Sequence, residues 1–231
     1  MKRLLLLLMC LSLVQVTLAQ SRIDTTQVDQ KYREDQFYIS LTYNLLSNKP
    51  NKVTQSGFSS GIHFGFIRDI PINTRRNIAI GVGLGVSTNS YNQNLFIQED
   101  NQNIEFTVLK DEGDYTKNKF STFLIEFPLE FRWRTSTAST YKFWRIYTGV
   151  KLGYVLFNRT KYKGNLSSDF KLYNIDVFND FQYAFTFSAG YGNYTIHLNL
   201  PLNPIFDNQN TTDGDLIDMK TVKIGLIFYI L

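Results

Sequence analysis

The chain has 231 residues, with 14 Tyr and 19 Phe against 5 Pro, a single Cys and a formal net charge of +4. One cysteine excludes a disulfide framework and a thiolate-built metal site. The small positive charge comes without a clustered basic stripe, so no nucleic-acid partner is expected.

Lys2 and Arg3 precede an apolar run from Leu4 to Val14, too short to cross a bilayer as a helix. Thr17-Leu18-Ala19 places small residues at the −3 and −1 positions of a cleavage site. Residues 1–19 therefore read as a secretory signal peptide, with the mature chain starting near Gln20. Cys10 lies inside this leader, and Leu8-Met9 ahead of it does not make a lipoprotein box, so no lipid anchor is expected. Residues 20–35 are polar and irregular and read as a periplasmic N-terminal segment.

From residue 36 to 231 the hydropathy alternates. In the first run Phe37, Ile39, Leu41, Tyr43 and Leu45 share one face, and Tyr38, Ser40, Thr42 and Asn44 share the other. Period two is the strand signature. Seven more runs follow, at about residues 58–66, 78–87, 123–134, 144–156, 181–188, 194–200 and 222–230. Most approach or exceed the roughly 9–11 residues that a tilted strand needs to cross a bilayer. One face is apolar and aromatic, and the other is small, polar or charged. Phe37, Tyr43, Trp133, Trp144, Tyr154, Tyr183, Tyr191 and Tyr194 near the run ends read as interfacial girdles. The fold class is all-β, a transmembrane antiparallel up-and-down barrel of about eight strands in the outer membrane, contacting its lipids. A soluble lipocalin-like barrel or sandwich is the competing fold.

The links alternate in length. Long ones span about 48–56, 92–119, 160–179 and 203–219; short ones span 69–76, 135–142 and Gly192-Asn193. Short periplasmic turns and long outer loops are the barrel rule, so both termini are expected in the periplasm. The long loops carry Glu99, Asp100, Glu105, Asp111, Glu112, Asp114, Asp207, Asp213, Asp215 and Asp218, and read as solvated. The short-turn side carries Arg68, Arg75, Arg76, Arg132, Arg134, Lys142 and Arg145. Arg75 and Arg76 are the candidates for docking an acidic periplasmic partner, against the simpler reading of a basic membrane rim.

Parity also places Glu126, Glu130, Arg132, Arg134, Arg145 and Lys151 on the inner face. Charges behind a low-dielectric wall must pair, and eight strands leave an interior that side chains fill. A structural charge network is expected, with a narrow selective pore as the alternative. The small-residue row from Ala79 to Gly85 either leaves space in the lumen or receives bulky side chains from opposite. His63 and His197 are expected to face inward with Ser59 and Ser188, but no elbow motif marks a nucleophile. Catalytic residues, a metal site, a cofactor and a small-molecule substrate are not expected.

Several segments in order carry a resemblance: KYREDQFY, GFIRDIPINTRRNIAIGVGLG, SYNQNL, EFPLEFRWRTSTASTYKFWRIYTGVKLGY, FNDFQY and IDMKTVKIGLIFYIL. Together they resemble the PorT family, also called SprT in gliding bacteria, of the Bacteroidota. The resemblance implies an outer-membrane component required by the type IX secretion system, which exports cargo with a C-terminal sorting domain, including gliding adhesins. It implies other secretion components as partners and no catalytic residue. A small-solute porin or structural barrel, and a lipid-modifying enzyme, are the alternatives. The final Phe228-Tyr229-Ile230-Leu231 departs from the terminal aromatic of many barrel assembly signals.

Overall fold

The computed structural model describes residues 35–101, 103–109, 115–137, 142–164 and 168–230. The leader, residues 20–34 and the loop acids Asp111, Glu112 and Asp114 lie outside the described residues.

Among the described residues eleven strands form. They are β1 (Gln36–Ser47), β2 (Ser60–Pro71), β3 (Ile78–Asn92), β4 (Leu95–Asp100), β5 (Asn103–Val108), β6 (Tyr115–Arg134), β7 (Trp144–Gly164), β8 (Phe170–Tyr173), β9 (Phe181–Tyr191), β10 (Tyr194–Pro201) and β11 (Lys220–Ile230). Eight of them close into one antiparallel barrel in the cyclic order β1-β2-β3-β6-β7-β9-β10-β11. Neighbours in the barrel are neighbours in sequence once the loop strands β4, β5 and β8 are set aside. The closing pair, β1 with β11, runs in register from Phe37↔Ile230 to Ser47↔Lys220. Closure leaves no sheet edge in the barrel wall, which is the condition for a sheet to exist in hydrocarbon.

The two faces differ as the alternation requires. Leu41, Leu84, Leu129, Val150, Ile196 and Leu226 point outward and are exposed. Such a belt has no place on a water-soluble protein of this size, and it is the natural wall of a membrane barrel. Aromatics rim the belt. At the short-turn end Trp144 and Tyr191 pack with ring centroids 5.2 Å apart, and Trp133, Phe37 and Tyr194 are exposed at the same end. At the other end Tyr154 packs on Phe181 at 5.2 Å and Tyr43 on Phe58 at 5.4 Å.

Both barrel ends of the chain, Gln36 and Ile230, lie at the end that carries the short turns, which faces the periplasm in outer-membrane barrels. The β9–β10 turn is two residues, with Gly192 at φ 58°. The β2–β3 turn is shorter than expected. The sequence puts the link at 69–76, yet Asp69, Ile70 and Pro71 belong to β2 and pair with Gly81, Ile80 and Ala79. Asn73 closes the turn: its side chain accepts from the Ile78 amide at 3.2 Å and donates to Asn77 at 2.6 Å.

The glycine row of β3 is filled, not empty. A Cβ on Gly81 would come within 2.7 Å of Arg132 Cδ, and one on Gly85 would collide with the Tyr38 hydroxyl. The row exists so that bulky inward side chains from β1 and β6 can cross it. Gly85→Leu is therefore expected to lower stability by about 1–3 kcal/mol, the usual cost of overpacking. Urea midpoints in detergent micelles check this. A variant with the wild-type midpoint would mean that the lumen has room there.

Candidate functional site

The barrel's chemistry is concentrated in its interior. Glu126, Glu130, Arg132, Arg134, Arg145 and Lys151 all lie inside and are buried. Asp69 and Lys223 join them, so the described lumen holds five cations and three carboxylates. Two groups of contacts organise these charges, and a third fills the outer end of the barrel.

At the periplasmic mouth, Asp69 clamps two arginines. Arg132 Nη1 donates to Asp69 Oδ1 at 2.5 Å, and Arg134 Nη1 donates to Asp69 Oδ2. Arg132 also donates to the Gln36 side chain, and Arg134 Nη2 donates to the Arg76 carbonyl at 3.0 Å. The Asp69 amide in turn donates to Asp35 Oδ1 at 2.8 Å. Glu130 approaches Arg132 Nε at 3.7 Å, an ionic contact without a hydrogen bond. The guanidinium of Arg132 lies 4.0 Å from the Tyr147 ring centroid, and that of Arg145 lies 4.7 Å from Phe143 and donates to the Gly192 carbonyl at 2.8 Å. Stacked and forked arginines suit a site where cations must be held away from water.

Farther in, Glu126 gathers the second group. His63 Nδ1 sits 3.0 Å from Glu126 Oε1, and Lys151 Nζ sits 3.2 Å from Oε2. A polar ladder continues from His63 through Thr42, Asn44, Asn89 and Ser87. The cavity beside Glu126, Lys151 and Lys223 is about 30 Å³, the size of one or two water molecules. Ser188 Oγ and His197 Nδ1 lie 2.8 Å apart, both buried. Among the described residues no cluster of three metal-ligating side chains occurs.

The third group closes the outer end and is apolar. Leu46, Tyr91 and Phe120 from the inner strand faces pack with Val53, Leu95, Ile97, Phe106, Val177, Phe178, Ile205, Phe206, Ile217 and Met219 from the loops. Phe206 is its hub, with Phe178 at 4.8 Å, Phe106 at 5.3 Å and Phe120 at 5.4 Å between ring centroids. The reading of the long loops as solvated is thus corrected: Glu99, Asp100, Asp207 and Asp213 are exposed, but apolar loop residues fold back as a lid. Sequence reasoning missed this cap, although Leu95-Phe96-Ile97, Val177-Phe178 and Ile205-Phe206 stand out among polar neighbours.

The periplasmic rim is also less basic than its sequence implies. Arg132, Arg134 and Arg145 point inward and are buried, so they are lumen residues and not rim residues. Arg68, Arg75 and Lys142 remain exposed, whereas Arg76 is half-buried, sits at φ 55° and lends its carbonyl to Arg134. The candidate docking pair therefore splits into an exposed Arg75 and a structurally engaged Arg76.

A family model described as an outer membrane protein beta-barrel domain matches residues 18–207. The chain belongs to this outer-membrane β-barrel family. It is an outer-membrane protein, and the match and the closed, lipid-faced barrel agree on that location. A search of curated proteins finds no significant match.

Asp69→Asn is expected to destabilise the barrel by about 3–5 kcal/mol, because it strips buried Arg132 and Arg134 of their shared carboxylate. Glu126→Lys is expected to do at least as much, by crowding Lys151 and Lys223. Heat-modifiable migration and urea midpoints report both. Wild-type behaviour of both variants would refute the lumen pairing.

Proposed function

We propose that this barrel is a non-enzymatic accessory or assembly component of the type IX protein secretion system, with the linked role in gliding motility. The observation that carries the reading is the filled lumen. Asp69 and its arginines occupy the periplasmic mouth, and the Phe206 cluster covers the other. Among the described residues both mouths are filled, and a folded cargo protein could not enter an eight-strand cylinder at all. Activity then belongs to the rims, the loops and the outer wall, which is how a partner-binding component works. The resemblance to the PorT family supplies the secretion system itself. The partners would be other components of that system in the periplasm or the outer membrane.

The other readings fit the geometry less well. A small-solute porin needs a continuous polar conduit, whereas the cavity beside Glu126 holds about 30 Å³. A lipid-modifying enzyme needs a nucleophile that lipid can reach, and the Ser188–His197 pair is buried inside the wall. A purely structural barrel would leave secretion intact on deletion.

Deleting the gene is expected to stop secretion of cargo bearing the C-terminal sorting domain. Normal export in the deletion strain would sink the proposal. Arg75→Glu combined with Arg76→Glu tests the periplasmic rim as the docking surface. An assembled barrel with lost export is the expected outcome, and unaffected export would move the docking site elsewhere.

A further inference from the structure

β6 and β7 continue as a pair beyond the aromatic girdle at the outer end, and this extension is strongly basic. Its outward side chains are Lys117 and Lys119 on β6, Arg159, Lys161 and Lys163 on β7, and Lys171 on β8. A bulge sets this arrangement. Phe123 pairs with Phe157 while Leu124 pairs with Val155, so Leu156 is an extra residue in β7. Leu156 and Phe157 consequently both face outward, and the parity of everything beyond them is inverted. Without the extra residue, Arg159, Lys161 and Lys163 would point inward and Asn158, Thr160 and Tyr162 outward. In the structure those last three are buried and the cations face out. Re-aiming side chains is a known use of bulges.

The cations stand in cross-strand register. Lys119 is opposite Lys161, which is opposite Lys171, and Lys117 flanks Lys163. Like charges directly opposite one another destabilise a sheet. Among the described residues, the carboxylate paired in this cluster is Asp169, 3.0 Å from Lys163 in an exposed pair. Among the described residues, no ion pair joins Lys119, Lys161 or Lys171 to a carboxylate, and Lys119 donates to the Ser90 hydroxyl at 3.3 Å. The row sits immediately beyond Phe123, Phe157 and Tyr173, with Phe157 and Tyr173 packed at 5.9 Å. That is the height of lipid headgroups above the apolar belt. An open groove of about 550 Å³ at the β7–β8 hairpin is lined by Lys161, Tyr162, Lys163, Asp169, Phe170, Lys171 and Tyr173.

We propose that the outward face of this β6–β7–β8 extension binds the phosphate groups of a phosphorylated glycolipid in the outer leaflet. The aromatic residues would lie along its acyl chains, and Lys119, Lys161 and Lys171 would pair with its phosphates. The proposal is independent of the secretion reading, since it concerns the lipid shell and not a protein partner.

The test titrates the full-length barrel in detergent micelles with phosphorylated lipid A, dephosphorylated lipid A, inorganic phosphate and a polyglutamate peptide. Native mass spectrometry reads the bound lipid. The wild type should retain phosphorylated lipid A and bind the dephosphorylated form far more weakly. The K119Q/K161Q/K171Q variant should bind roughly a hundredfold more weakly, given the contribution of each cation near an anionic surface. K171Q alone should show a loss of about fivefold and covers the case in which the triple variant fails to fold. A K49Q/K52Q loop control should match the wild type. Equal binding of the two lipid forms, or wild-type binding by K171Q and the triple variant, would overturn the proposal. Inorganic phosphate bound as tightly as lipid would reduce the site to an ion site, and polyglutamate displacing the lipid at equal affinity would point to a protein partner; either result overturns it.

Discussion

Everything in this barrel depends on the charge compensation around Asp69. Two arginine side chains enter the lumen from β6, and a single carboxylate from β2 receives both. Within a wall of strands and lipid, an uncompensated ion costs several kcal/mol. The clamp therefore ties β2 to β6 across β3, and the glycines of β3 give Arg132 and Tyr38 the space to cross. Through Gln36 and the Arg76 carbonyl the same cluster reaches β1 and the first periplasmic turn. One polar cluster thereby links strand registration, lumen filling and the shape of the inner rim.

The outer end solves the same problem with different chemistry. Loops that cross the mouth contribute aromatic and aliphatic side chains, and these pack onto Tyr91 and Phe120 from the strands. Aromatic pairs in tilted and edge-on contact favour a defined geometry. A polar cluster fills the periplasmic mouth, and an apolar lid covers the outer one. The basic extension of β6 and β7, the exposed Arg75 and the acidic loop tips are then the features that distinguish one sector of the barrel's surface from another.

The barrel was legible in the sequence because its wall obeys a strict period of two. Glu126, Glu130, Arg132, Arg134, Arg145 and Lys151 could be assigned inward from parity alone, since each lies on a long unbroken run. Asp69 could not. Ile67 and Asp69 face inward while Arg68 and Ile70 face outward, so the apolar–polar order breaks down just where β2 nears its end. With Pro71 following, that stretch reads as a turn. The β7 bulge hid the basic extension for a related reason. One extra residue inverts the parity beyond Leu156, and a pattern that flips looks like the end of a strand. The loop cap left no periodic trace, because its dipeptides are brought together by tertiary folding and not by a repeat.

The most direct test of a sealed, surface-acting barrel is conductance of the purified protein in a planar lipid bilayer. The account predicts no steady open current from the wild type. Large, stable, ion-selective currents would contradict it, because they would require a water-filled route past Asp69, Arg132, Arg134 and the Phe206 cap.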